Sequence, residues 1–333
     1  MLMVRALNGL GYAVDLVSHS DAGWLPHRSY DLFVGHGGTN FSRIGRRLPA
    51  STPRIYFSTG IEWREFNRRE TERFHRLSAR RGLVLPRDRQ IHASEEGALT
   101  DADGIICLGN TGAVSTYNAH PVVVGLDNSV RETAWRRWEE KDFAAGRRRY
   151  LFFSGDGSVH KGLDLLLEAA SNAPVELHVC HRVDGPFAAA YARELSGPNI
   201  HVHGFLRERS ARFLELALAC NWVITASCAE GQPGSILECM AHGMVPVLPL
   251  EANIDYEDFA APISARSPES IVEAMRALSV MAPEECKRRA GRAAEVARQR
   301  YAEAVFERRF AEAVRHIVEK GAAVVRTPEW RDC

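Results

Sequence analysis

Residues 221–250, NWVITASCAEGQPGSILECMAHGMVPVLPL, decide the fold, because a strand, a glycine-rich turn, a helix and a second strand follow one another there without a break. The apolar, β-branched run 221–227 reads as a buried strand, and 245–250 as another. Between them Gly231 and Gly234 flank Pro233 in a turn. Residues 235–242 then have helical spacing, and Gly243 is a C-terminal stop signal. Glu230 therefore precedes the helix and Glu238 lies inside it. Open α/β sheets bind ligands outside the carboxyl ends of their strands, so both carboxylates are placed to face one.

Gly231 and Gly234 let backbone N–H groups approach a ligand closely, and the amides at a helix start favour an anion such as phosphate. A ribose diol needs a carboxylate acceptor. Glu238 can supply it while the turn through Gln232, Pro233 and Ser235 holds the phosphates. A purely structural reading competes, because Ser235-Ile236-Leu237-Glu238 fits the Ser-x-x-Glu capping box, in which the glutamate closes back onto a backbone N–H.

The order Glu230, seven residues, Glu238, then Cys-Met-Ala-His-Gly-Met-Val-Pro-Val resembles the donor-site motif of glycosyltransferase family 4, retaining enzymes of the GT-B fold. The resemblance implies two Rossmann-like domains facing each other across a cleft, with Glu230 against the donor sugar and Glu238 on the nucleotide ribose. Where the family has an aromatic residue after the first glycine, this chain has Gln232-Pro233.

The length of 333 residues suits two domains. A formal net charge of zero gives no bulk electrostatic case for nucleic acid. Seven cysteines without a C-x-x-C pair read as reduced, mostly buried thiols. No signal peptide and no bilayer-spanning apolar run is found, so the expected compartment is the cytoplasm.

Residues 1–12 read as an amphipathic helix and 13–18 as a strand. A doubly wound domain normally begins with a strand and a glycine-rich turn, so the first domain is expected to lack its first strand. Residues 30–36, 54–59, 102–109 and 121–126 are further strands. His36, at the end of the first of these, is a catalytic candidate for the interdomain cleft, and its other reading is a hydrogen-bonded scaffold. The helix 63–82 carries seven arginines among apolar residues. It reads as a solvated face paired with its own glutamates, or as a surface for an anionic acceptor, including a lipid phosphate at a membrane face.

The polar segment 131–149 separates a first domain, 1–130, from a donor domain, 131–300. The last part, 301–333, is a helix expected to cross back to the first domain, followed by a tail. The donor domain opens with strand 150–155, then Gly155, Asp156 and Gly157, then Lys161-Gly162 and helix 163–170. Of 42 basic residues only four are lysines, so a lysine in a glycine-lined turn points to a need for a compact cation such as phosphate recognition uses. The pair Lys161-Gly162 also matches the family's lysine-glycine, which implies contact with the donor diphosphate. Five residues earlier the family has an arginine and this chain Asp156, with Arg207 or Arg209 as substitute cations.

Alternating elements at 175–180, 187–195, 199–204 and 207–220 complete a parallel sheet. By resemblance, backbone groups near Phe205 meet the base, while the Phe205 side chain reads as core. No metal-ligand motif is found, and neither metal nor cofactor is expected. The expectation is a retaining transfer from a nucleoside-diphosphate sugar to a glycan, lipid or other hydroxyl compound. Glu230, Lys161 and His36 are the catalytic candidates. A GT-B epimerase or hydrolase, or a degenerate nucleotide-sugar-binding subunit, are the alternatives.

Overall fold

The computed structural model describes residues 1–132, 137–183 and 185–325, with side chains to 320. The first sheet has strands β1 (Phe33–Gly35), β2 (Arg54–Ser58), β3 (Gly104–Leu108) and β4 (Val123–Leu126), parallel and in sequence order. The second has β5 (Arg149–Phe153), β6 (Glu176–Cys180), β7 (Ile200–Val202), β8 (Trp222–Ile224), β9 (Val245–Leu248) and β10 (Ala261–Pro262). Its order, read from β7, is β7-β6-β5-β8-β9-β10, all parallel. That is the doubly wound order of a dinucleotide-binding domain. The central strands are buried on both faces, which is why 221–227 and 245–250 read as unbroken apolar runs.

The run 13–18 forms no strand. Its Asp15 turns outward to Arg28 and Tyr30, so the backbone gains no ladder partner. The first helix is Leu2–Gly9, shorter than expected, and 187–195 splits into Gly185–Ala190 and Ala192–Leu195. The split falls at Tyr191, whose ring is buried on the core and whose hydroxyl bonds Glu168 at 2.7 Å.

Two chain crossings lie side by side between the domains. Val130 donates its N–H to the Tyr301 carbonyl at 2.8 Å, and Asp127 beside it accepts Arg300 at 2.8 and 3.0 Å and Arg309 at 3.0 Å. The helix Glu303–Val325 then lays Phe306, Phe310, Val314 and Ile317 against Ile55, Phe57, Ile106 and Leu108 of the first sheet.

The helix Trp63–Arg81 makes a third link. It starts on the first core with Phe66 and ends in the second with Phe74 and Leu77. All seven of its arginines have carboxylate partners. Arg64, Arg68, Arg69 and Arg76 pair with nearby glutamates, Arg73 and Arg80 with Asp164, and Arg81 with Glu194. The helix thus offers no uncompensated guanidinium to an anionic surface. Among the described residues no helix is long and apolar enough to cross a membrane.

Candidate functional site

Strand order in the second sheet reverses between β5 and β8, and the crevice outside their carboxyl ends is where such sheets take ligands. The loop after β5 carries Lys161 and the loop after β8 carries Glu230. What brings the loops together is Gly162, with φ of 87°. A Cβ there would stand 2.4 Å from the Ala226 carbonyl oxygen, so only glycine permits this approach. The Lys161 carbonyl accepts the Ala226 N–H at 3.3 Å and the Thr225 hydroxyl at 3.2 Å, which fastens the loops backbone to backbone.

Across that seam the Lys161 ammonium pairs with the Glu230 carboxylate, and both side chains are nearly buried. Ser227 donates to the same oxygen, Oε1, at 2.7 Å. Burial alone would raise the Glu230 pKa, but Lys161, His160 and these hydrogen bonds outweigh it and hold the group below its usual range. Glu230 is therefore an anion at neutral pH, and the pair is a buried charge couple whose members can each turn to a ligand.

His160 lies behind this couple, stacked on Phe66 with centroids 4.7 Å apart. Its Nε2 donates to the Ala229 carbonyl at 2.8 Å, and its Nδ1 stands 3.6 Å from both Cys228 Sγ and Glu70 Oε1. Burial would push His160 down, but Cys228, Glu70 and the Glu230 charge raise it to about 10. Asp88 accepts the Val159 N–H at 2.9 Å and the His160 N–H at 3.3 Å, so a segment of the first domain holds the Lys161 loop. Sequence reading missed His160, Ser227 and Asp88; a histidine directly before the lysine was the available signal for the first.

Glu238 is buried and its carboxylate receives Arg209 Nε at 2.6 Å and Nη2 at 3.2 Å. Arg209 also donates to the carbonyls of Arg131 and Glu132 at 2.6 and 3.0 Å, tying the linker to the donor helix. It does so from a left-handed backbone, φ 62°, that a non-glycine residue adopts only when its surroundings force it. The capping-box reading of Glu238 is overturned. The helix Gly234–Ala241 begins one residue earlier than expected, its N-cap is Pro233 without a side-chain cap, and Glu238 closes on Arg209 instead. That leaves the amides of Gly234 and Ser235 at an uncapped helix start.

Gln232 is fully engaged. Its Nε2 donates to Asp127 at 2.8 Å, its Oε1 accepts the Asn128 N–H at 2.8 Å, and its carbonyl accepts Asn128 Nδ2 at 2.9 Å. The residue that stands in place of an aromatic thus fastens the donor turn to the interdomain crossing. A Cβ on Gly231 would lie 2.3 Å from the Thr59 carbonyl oxygen and 2.8 Å from that of Leu108, so the turn is wedged between the ends of β2 and β3. Asn253 Nδ2 donates to the Glu230 carbonyl at 2.7 Å from the far side.

The remaining candidates lie around this centre. Gly155 opens onto unfilled space, Asp156 beside it is exposed, and Gly157 (φ 97°) is covered by the Arg89 side chain. Among the described residues neither Arg89 nor Arg207 has an ion-pair partner, whereas Arg209 is consumed by Glu238. His36 sits at the end of β1 with Nδ1 2.9 Å from the Phe57 carbonyl oxygen. A carbonyl only accepts, so Nδ1 is the donor in this contact. No hydrogen bond joins His36 to Lys161 or Glu230 among the described residues. Phe205 is 59% exposed, against its reading as core, because β7 stops at Val202 and Gly204 (φ 71°) turns the chain outward.

No family model matches the sequence, and no curated protein matches it either. Solved structures do share its fold. A UDP-forming α,α-trehalose-phosphate synthase from Burkholderia xenovorans superposes with TM-score 0.63 at 14% identity, over 86% of this chain and 74% of that one. Anabaena HepE in complex with UDP-glucose gives 0.61 at 15%, over 86% and 79%. Sucrose-phosphate synthase from Thermosynechococcus elongatus gives 0.61 at 13%, over 95% and 77%. Two parallel sheets, crossings at Val130 and Tyr301 and these likenesses together show that the chain has the GT-B fold.

Proposed function

We propose that the chain is a glycosyltransferase of the family 4 type, moving a sugar with retention from a nucleoside-diphosphate sugar to a hydroxyl acceptor. The observation that carries this is the Lys161–Glu230 couple at the reversal point of the second sheet. A donor entering the crevice exchanges that couple for two better-matched partners, diphosphate for Lys161 and sugar hydroxyls for Glu230. Lys161, the uncapped amides at Gly234 and Ser235 and the dipole of their helix then face the charge that grows on the departing diphosphate, the largest contribution such a site can make. Arg89, whose side chain covers Gly157, is a cation beside the place where Asp156 stands for an arginine. Glu238, held by Arg209, has the ribose role.

The family likeness implies that a leaving phosphate oxygen takes the acceptor proton, so no strong general base is needed. His36, at the end of β1, is the first-domain candidate for a supporting base. HepE and the trehalose-phosphate synthase are described with UDP or as UDP-forming, which supports a uridine donor.

A thermal-shift panel of nucleoside diphosphates and nucleotide-sugars tests the reading, followed by sugar release and transfer assays. Stabilisation by one nucleotide-sugar, lost in Lys161→Ala, is expected. Free sugar or an epimer without acceptor would favour the hydrolase or epimerase reading, and binding without turnover the degenerate one, to which Asp156 lends weight. No response to any nucleotide would end the proposal.

A further inference from the structure

At one edge of the second sheet, away from the β5 and β8 loops, four side chains gather that glycosyl transfer does not use. Glu176 and His178 lie two residues apart on one face of β6, and the strand register sets His178 directly opposite His201 on β7. The His178 ring stacks on His201 with centroids 4.8 Å apart and on His203 at 5.3 Å. His178 Nδ1 is 3.0 Å from His203 Nε2, and His178 Nε2 is 3.8 Å from Glu176 Oε2.

One oxygen of Glu176 and one nitrogen each of His178 and His201 lie within 4.8 Å of one another. His178 Nε2 is buried and has no hydrogen-bond partner. A buried imidazole nitrogen aimed at a carboxylate and a second imidazole, with nothing bonded to it, is a lone pair awaiting an acid.

We propose that Glu176, His178 and His201 bind a divalent transition metal of the zinc class, with His203 holding His178 through Nδ1. Two imidazoles and one carboxylate are the donors that suit zinc, copper or nickel, while magnesium and calcium prefer oxygen alone. Three protein ligands leave the fourth tetrahedral position to water. Metal bonds of about 2.1 Å put ligand atoms roughly 3.4 Å apart, so the three must close by about an ångström. The Glu176 side chain, 42% exposed, makes part of that move, and the His201 ring turns out of its stack on His178 so that both lone pairs reach the ion. Arg149 Nε, 3.1 Å from Glu176 Oε2, is the group the metal displaces or shares with. His203 takes the part of the outer hydrogen-bond partner that metal-bound imidazoles use. Bound metal would clip the three-residue edge strand β7 to β6.

The test is a calorimetric titration of the chelator-treated full chain with zinc, beside Glu176→Gln, His201→Ala, His203→Ala, Cys228→Ser and the exposed control His92→Ala. Circular dichroism confirms the fold of each variant. One zinc per chain is expected, with at least a tenfold loss of affinity in Glu176→Gln and His201→Ala and about a ten- to hundredfold loss in His203→Ala. His92→Ala and Cys228→Ser should match the parent, and magnesium should give no saturable signal. Absence of saturable zinc binding, or unchanged affinity in folded His201→Ala, overturns the proposal. So does a loss confined to Cys228→Ser, which would assign the metal to the Cys228–His160 contact instead.

Discussion

The Arg73 guanidinium lies 2.8 Å from the Asp164 carboxylate, and both side chains are sealed from solvent although one springs from the first domain and the other from the second. Arg73 also donates to the Ala265 carbonyl at 2.8 Å, and Asp164 receives Arg80 at 2.9 Å. A buried couple of this kind contributes little net stability, yet stripping one partner leaves a charge in a dry interface.

Arg73→Ala should therefore cost about 3 kcal/mol, measured by urea unfolding. The double variant Arg73→Met, Asp164→Leu should recover much of that loss, because apolar groups replace both charges. If the single variant unfolds like the parent, the couple does not bind the domains together.

Gly162→Ala forces a Cβ into the Ala226 carbonyl and a side-chain residue into φ of 87°. A stability loss of about 1–3 kcal/mol is expected. Nucleotide-sugar binding should fall further than the melting temperature explains, because Lys161 moves with the loop. A variant that melts low but binds as well as the parent would separate the glycine from the site.

Ser235→Ala should change stability by less than about 0.5 kcal/mol, since Ser235 caps nothing. Glu238→Gln leaves Arg209 without its carboxylate and should cost about 1–3 kcal/mol. Equal costs in the two variants would restore the capping box.

His160 gives the protein a pH signature. Its folded pKa of about 10 lies above the ordinary value of 6.5, so its contribution is full below pH 6.5 and fades as pH rises towards 10. The groups facing it are Glu70 and Asp88 from the first domain and Cys228 and Glu230 from the second. The stability gap between parent and His160→Gln should thus narrow from pH 6 to pH 10. A constant gap would mean that His160 is uncharged in the fold.

The alternation of strand and helix was legible because buried parallel strands demand unbroken apolar runs, as at β8 and β9. The pairing of Lys161 with Glu230 was readable only as convergence; the sequence does not say that Gly162 is what lets the loops touch. Helix 63–82 displayed the pairing of Arg64, Arg68, Arg69 and Arg76 with its own glutamates but not the reach of Arg73 and Arg80 across the domains, for which the clue was Asp164, an acid at a buried position of the helix Leu163–Ala170. The run 13–18 misled because apolar alternation without a neighbouring strand fixes no ladder. The histidine cluster was invisible because its members sit on two strands and meet only through their register.

The contact of Gly104 with Ile317, where a Cβ would stand 2.6 Å from the isoleucine, has a bearing on biogenesis. The half of the protein that leaves the ribosome first keeps one face of its sheet uncovered until the last helix has been made. The donor half, whose strands and the helix Pro283–Arg300 are all made before Glu303, can settle earlier. A stalled nascent chain ending before Glu303 should hold a protected second sheet beside a first sheet that proteases still reach.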